Sequence, residues 1–125
     1  TVYDGERLHV AGEECLHDKA AHAGKAVDRG AVHIKCPRFG SGEAKALVNE
    51  SMRGLDLYII SDCFNYGVTY KMYGMQVPMS PDDHFQDIKR VISAMNGKEN
   101  SLHVVMPLMY QSRQDKRKAC ESLDC

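Results

Sequence analysis

The chain lacks the cysteine pairing that would mark a stapled or zinc-bound scaffold. Its five cysteines, Cys15, Cys36, Cys63, Cys120 and Cys125, are an odd set without a CxxC pair or zinc-ligand spacing. Reduced thiols in a cytoplasmic protein fit that pattern. No apolar run approaches the roughly 18 residues of a membrane span. The opening Thr1-Val2-Tyr3-Asp4-Gly5-Glu6-Arg7 has no basic-then-apolar order of a signal peptide. A strong charge of either sign is missing too: the net charge is −1, so the molecule has no global field to hold nucleic acid. Any anion binding must come from a local cluster. The common phosphate fingerprints are also absent. Gly24-Lys25 has neither the upstream glycine nor the following Ser or Thr of a Walker A loop, and Gly40-Ser41-Gly42 is too short for a dinucleotide fingerprint. There is no internal repeat, heptad pattern or low-complexity tract.

What is present is enough for one domain with a real core: 125 residues, 43% hydrophobic and 26% charged. Leu8-His9-Val10-Ala11, closed by Gly12, reads as a first strand. A helix from about Glu14 to Arg29 is expected next, weakened by Gly24 and stopped by Gly30. Val32-His33-Ile34-Lys35-Cys36 alternates at period two, as a half-buried strand does. Pro37 ends it, Phe39-Gly40-Ser41-Gly42-Glu43 turns the chain, and residues 43–48 resume an extended pattern. Together these make a β-hairpin.

Asp56-Leu57-Tyr58-Ile59-Ile60-Ser61 reads as a buried strand. Residues 62–79 hold glycines, tyrosines and methionines with no clear period, an excursion over the surface. Ser80-Pro81-Asp82-Asp83 supplies an N-cap, a first-turn proline and acidic residues, so a helix follows. Its apolar stripe is Phe85, Ile88, Ile92 and Met95, and Asn96-Gly97 stops it. The last strand is expected from Leu102 to Leu108, buried. This order predicts an α/β domain, three layers αβα, with a mainly parallel sheet and a β-hairpin excursion.

Directly after that strand comes the most informative segment, Arg113-Gln114-Asp115-Lys116-Arg117-Lys118. Four cations and one carboxylate leave the carboxyl edge of the sheet, where open α/β sheets bind ligands. Fixed positive charge there suits a phosphate or pyrophosphate; the competing reading is a solvated charged loop.

With these elements placed, the chain resembles the N-terminal half of ribose-phosphate pyrophosphokinase, a phosphoribosyltransferase-like domain. Four segments carry the resemblance in order: residues 8–12, Arg38-Phe39-Gly40-Ser41-Gly42-Glu43, the stretch from Asn49 to Ile60, and Tyr110-Gln111-Ser112-Arg113-Gln114-Asp115-Lys116. The resemblance implies a diphosphokinase that uses Mg²⁺ to transfer the diphosphoryl group of ATP to ribose 5-phosphate. It implies that Phe39 stacks near adenine, that Ser41 stands at a base-contacting position, and that Glu43 accepts from the adenine amino group. The same hairpin would reach into a neighbouring subunit's ATP site, making the protein a homo-oligomer.

The resemblance further implies that Arg113 and Gln114 contact ATP, with Lys116 and Lys118 adding charge and Asp115 orienting the loop. Ser51 and Arg53 match a regulatory anion site; the alternative for Arg53 is pairing with Glu50 or Asp56. Gly40-Ser41-Gly42 departs from the family's more common polar-acidic spacing. The segment after the cationic loop, Ala119-Cys120-Glu121-Ser122, lacks the usual proline, and the 62–80 connection is long.

Residues 1–125 are thus expected to be the ATP-binding N-terminal domain alone, without the C-terminal domain. The magnesium-binding histidine and the ribose 5-phosphate loop would lie beyond Cys125, leaving no catalytic or metal residue within the chain. The isolated domain would then be inactive. A non-catalytic regulatory subunit of the same fold is the competing function. Asp82-Asp83-His84 reads as helix capping rather than a metal cluster. His9, His17, His22, His33 and His103 have no ligand spacing, Tyr58, Tyr66, Tyr70 and Tyr73 read as packing residues, and Cys63 reads as a small core hydrophobe.

Overall fold

The computed structural model describes residues 7–14 and 31–124. The expected helix of residues 14–29 falls almost wholly outside them. Five strands form one sheet: β1 Arg7–Glu14, β2 Ala31–Lys35, β3 Leu47–Val48, β4 Leu55–Ile60 and β7 Ser101–Val105, in the order β3-β2-β1-β4-β7. Between β4 and β7 the chain makes a two-stranded ribbon, β5 Thr69–Met72 and β6 Met75–Pro78, and the helix α1 Pro81–Met95.

The sheet is not mainly parallel. β2 pairs antiparallel with β1 and β3, and β1 pairs antiparallel with β4, while only β4 and β7 run parallel. The helix between β4 and β7 provides the crossover that a parallel pair needs. The turn at residues 39–43 instead folds β3 directly back on β2. The order of elements along a sequence does not fix strand direction when a strand inserts between others, as β1 does. One helix on one face is described, so the α/β class stands and a third layer does not follow from the described residues.

β4 explains the core. Leu55, Leu57 and Ile59 are buried on one face, while Asp56, Tyr58 and Ile60 are half-buried on the other, the alternation that a pleated strand imposes. The buried face meets Val32 and Ile34 of β2 and Ile88, Val91 and Met95 of α1. Cys63 lies fully buried in this cluster, donating to Met106 Sδ at 3.8 Å, as a core thiol.

β1 runs on through Gly12 to Glu14 rather than stopping at the glycine. β7 ends at Val105, three residues before the expected Leu108, because Pro107 has no amide for a ladder. β7 is also an edge strand, not a buried one: Val104 and Val105 are exposed. The 62–79 excursion conceals the β5–β6 ribbon. Its two-residue turn, Tyr73-Gly74, has φ of 48° and 81°, as a type I′ turn requires.

Helix α1 begins as its sequence dictates. Ser80 Oγ accepts from the Asp83 amide at 3.1 Å, and the Asp83 carboxylate accepts from the Ser80 amide at 2.9 Å. This is a reciprocal capping box. Asn96, in the left-handed conformation, closes the other end. The buried stripe differs from the expected one, being His84, Asp87, Ile88, Val91 and Met95, with Ile92 exposed. Two polar residues turn inward because each has a partner there. His84 Nε2 donates to the Asn65 carbonyl at 2.9 Å. The Asp87 carboxylate takes Arg38 on Oδ2 at 2.7 Å and Arg90 on Oδ1 at 2.6 Å.

Arg38 Nη2 also reaches Met79 Sδ at 3.8 Å, and its guanidinium stacks 4.8 Å from the Tyr70 ring centroid. One side chain thereby joins the 37–45 reversal, the β5–β6 ribbon and α1. Burial pushes the Asp87 carboxyl up from its ordinary range, and the two guanidiniums oppose that rise. Arg38→Ala leaves a buried carboxylate with one cation and is expected to destabilise the fold by about 3 kcal/mol, read by chemical denaturation. A change below 1 kcal/mol would mean the ion pair is replaceable by solvent.

Cys36 sits beside this network, and burial, with the Asp87 charge second, pushes its thiol from 9.0 to about 11. The folded state therefore favours the neutral thiol. That contribution to stability is complete below pH 9 and is lost as pH rises through 11. The melting temperature is expected to fall across this window, and Cys36→Ala should flatten that part of the profile. An unchanged slope in the variant would remove Cys36 as its source.

Candidate functional site

The expected site residues fall into three places. The first is the tip of the 37–45 reversal. The Phe39 amide donates to the Glu43 carbonyl at 2.7 Å and the Gly42 amide to the Phe39 carbonyl at 2.9 Å, which draws five residues into one tight turn. Phe39, Ser41 and Glu43 are all exposed on it. Ser41 Oγ donates to Glu43 Oε2 at 3.2 Å, so the hydroxyl and carboxylate form one polar edge beside the ring.

The second place is the loop after β7. Tyr110 clamps it to the start of α1: its ring lies 4.7 Å from that of Phe85, and its hydroxyl donates to Asp82 Oδ1. Gln111 is left-handed at φ 61°, which turns the chain sharply after the clamp. A cleft of about 670 Å³ opens here, with Phe64, Asp82, Tyr110, Arg113 and Gln114 among its lining residues. Its walls combine apolar and aromatic surface with a few polar groups, as ligand sites do.

Gln114 is half-buried and donates to the Lys116 carbonyl at 3.1 Å. Asp115 makes no side-chain hydrogen bond among the described residues. The loop is held by the Gln114 side chain and by the Tyr110 contacts with Asp82 and Phe85, and the sequence pattern gave no sign of those contacts. Arg113, Lys116, Arg117 and Lys118 are exposed, and none has an ion-pair partner among the described residues. Carboxylates are interspersed with them: Asp124 lines the same cleft as Arg113, and Glu121 accepts from the Lys118 amide at 3.2 Å. Arg113 lines the cleft; Lys116 and Lys118 lie further along the loop and do not.

The third place is the turn before β4. The Arg53 amide points at Ser51 Oγ, 3.5 Å away, and the Gly54 amide donates to the Lys98 carbonyl at 3.0 Å. Ser51 lines a hollow of about 260 Å³ with Glu50, Met52 and Lys98, which Arg53 does not join. Arg53 pairs with neither Glu50 nor Asp56; the Asp56 carboxylate instead accepts from Asn100 at 2.7 Å and Ser101 at 2.5 Å. Lys98, far from Ser51 in sequence, is the cation that shares its hollow. No sequence signal pointed to it.

The first two places do not merge within one chain: Phe39, Ser41 and Glu43 are absent from the cleft that Arg113 lines. Among the described residues, no group of three His, Cys, Asp or Glu side chains could hold a metal ion. The Asp82-Asp83-His84 run is spent on the Tyr110 contact, the capping box and the Asn65 carbonyl. No helix among the described residues is long and apolar enough to cross a membrane.

A cation-bearing loop clamped at a helix start and an aromatic-acidic turn are the two features the sequence motifs led to. The family model described as the N-terminal domain of ribose phosphate pyrophosphokinase matches residues 13–125. No curated protein and no solved structure shows significant similarity to the chain. On the family match, which covers most of its length, the chain belongs to the ribose phosphate pyrophosphokinase N-terminal domain family.

Proposed function

We propose that this domain is the ATP-binding half of a ribose-phosphate diphosphokinase, which moves the diphosphoryl group of ATP to ribose 5-phosphate and releases AMP. The observation that carries the proposal is Arg113 in the cleft beside the Tyr110 clamp, with no ion-pair partner among the described residues. A guanidinium offers a planar fork of donors that matches phosphate oxygens bidentately. Phosphoryl transfer depends on positioning and charge neutralisation more than on covalent chemistry, so a guanidinium in the cleft is the contribution this domain can make.

Within that reading, Gln114 donates beside Arg113, and Lys116 and Lys118 raise the local potential. Asp82 and Asp124 share the cleft; the charge of Asp82 is engaged by the Tyr110 hydroxyl and by the positive end of α1, and Asp124 is exposed at the rim. Phe39 supplies a stacking face and Glu43 an acceptor for an exocyclic amine. Because these residues lie outside the cleft, a complete nucleotide site takes the turn of one copy and the cleft of another, so the working protein is a homo-oligomer. Magnesium, bound with the triphosphate, would supply further charge neutralisation. The described residues hold no cluster for it, and its ligands are expected beyond residue 125. Ser51 and Arg53 remain candidates for a regulatory anion, with Lys98 now beside Ser51.

In the full-length protein, Arg113→Ala is expected to lower kcat/KM for ATP by about 2–4 kcal/mol of transition-state stabilisation, measured as AMP release with ribose 5-phosphate. Unchanged turnover would take Arg113 out of the site. Binding of ATP without turnover in the unmodified full-length protein would assign it to a regulatory subunit instead.

Mixing Phe39→Ala and Arg113→Ala subunits provides a second measurement. A shared site leaves some interfaces with both wild-type halves, so activity is expected to return on mixing. No recovery in mixed oligomers would place both residues in one subunit's site.

A further inference from the structure

We propose that Tyr73, at the turn of the β5–β6 ribbon, is a further base-contacting residue, presented beside Phe39 on a second finger. The inference rests on the nucleotide-binding reading above. The two fingers are joined at their tips. The Tyr73 amide donates to the Gly40 carbonyl at 2.9 Å, one residue from Phe39. A Cβ built on Gly42 would stand 2.9 Å from Met72 Sδ and 3.6 Å from the Tyr70 ring, so the turns are packed without a gap. At their bases, Arg38 stacks on Tyr70.

Tyr73 itself is poorly explained by folding. Its φ is 48°, a left-handed conformation that a bulky side chain adopts only at a cost. The first position of such a turn before glycine favours asparagine. The residue is 77% exposed, so packing does not compensate. Phe39, at 53%, is exposed on the adjoining turn.

Two exposed rings on joined turns, with the Ser41–Glu43 acceptor edge beside Phe39, match a planar heterocycle carrying an exocyclic amine. The rings offer stacking surface, and the carboxylate accepts from the amine. The base of a nucleotide seated in a second copy's cleft is that ligand.

The test exploits the turn. In the full-length protein, Tyr73→Asn installs the preferred Asn-Gly pair, so the melting temperature should hold or rise. The KM for ATP (or the Kd, in a protein without turnover) is expected to rise roughly tenfold, as loss of a base–aromatic stack gives. The kcat and the KM for ribose 5-phosphate should stay unchanged, and Tyr73→Phe should keep the wild-type value for ATP. An unchanged KM for ATP in Tyr73→Asn, alongside a raised one in Phe39→Ala, overturns the inference and leaves the nucleotide-binding reading intact. A lowered melting temperature with both substrates' KM raised makes the ribbon a brace only, which also overturns it. If Phe39→Ala and Arg113→Ala leave ATP use unaltered as well, the nucleotide-binding reading itself has failed.

Discussion

The Arg38–Asp87 ion pair is the constraint on which the rest of the described structure depends. A carboxylate buried on the core side of α1 is costly unless it is paired and hydrogen-bonded, and Asp87 takes a guanidinium on each oxygen. Arg90 comes from the same helix and adds little long-range information. Arg38 comes from the strand-like entry to the Phe39 turn and brings Tyr70 and Met79 with it. The position of the exposed turn relative to the helix is thus set by a polar contact of fixed geometry, whereas the apolar core under β4 could tolerate some sliding.

Much of this fold could be read from the residues, and the exceptions have physical causes. Ser80-Pro81-Asp82-Asp83 and Asn96-Gly97 defined α1 because capping chemistry is local. The helix face was misjudged by one position because Asp87 and His84 look solvent-facing until their partners, Arg38 and the Asn65 carbonyl, are known. The β5–β6 ribbon was hidden because Tyr73 takes the place of the asparagine that announces such turns. Strand direction was misread for a related reason: β1 pairs with two strands, and the chain order shows neither pairing.

The candidate site divided along the same line. Motif order pointed to the Phe39 turn and the Arg113 loop, and both segments lie within the residues that the family model matches. What holds the loop was not legible. The Tyr110 clamp spans Phe85 and Asp82, residues that the pattern had assigned to core and cap. A net charge of −1 also conceals that the cations after β7 lack described carboxylate partners, because averaging over a chain erases local potential.

Gly42 has a consequence for how such a chain can change over time. Its φ of 92° disfavours any side chain, and the Met72 sulfur occupies the space a methyl group would need. The two obstacles are unequal: the torsional one belongs to the backbone, whereas the contact comes from a flexible methionine thirty residues away that can turn aside. A descendant that trimmed the ribbon would remove the second barrier and keep the first. A side chain at position 42 would therefore stay strained by its backbone torsion even after Met72 had given way.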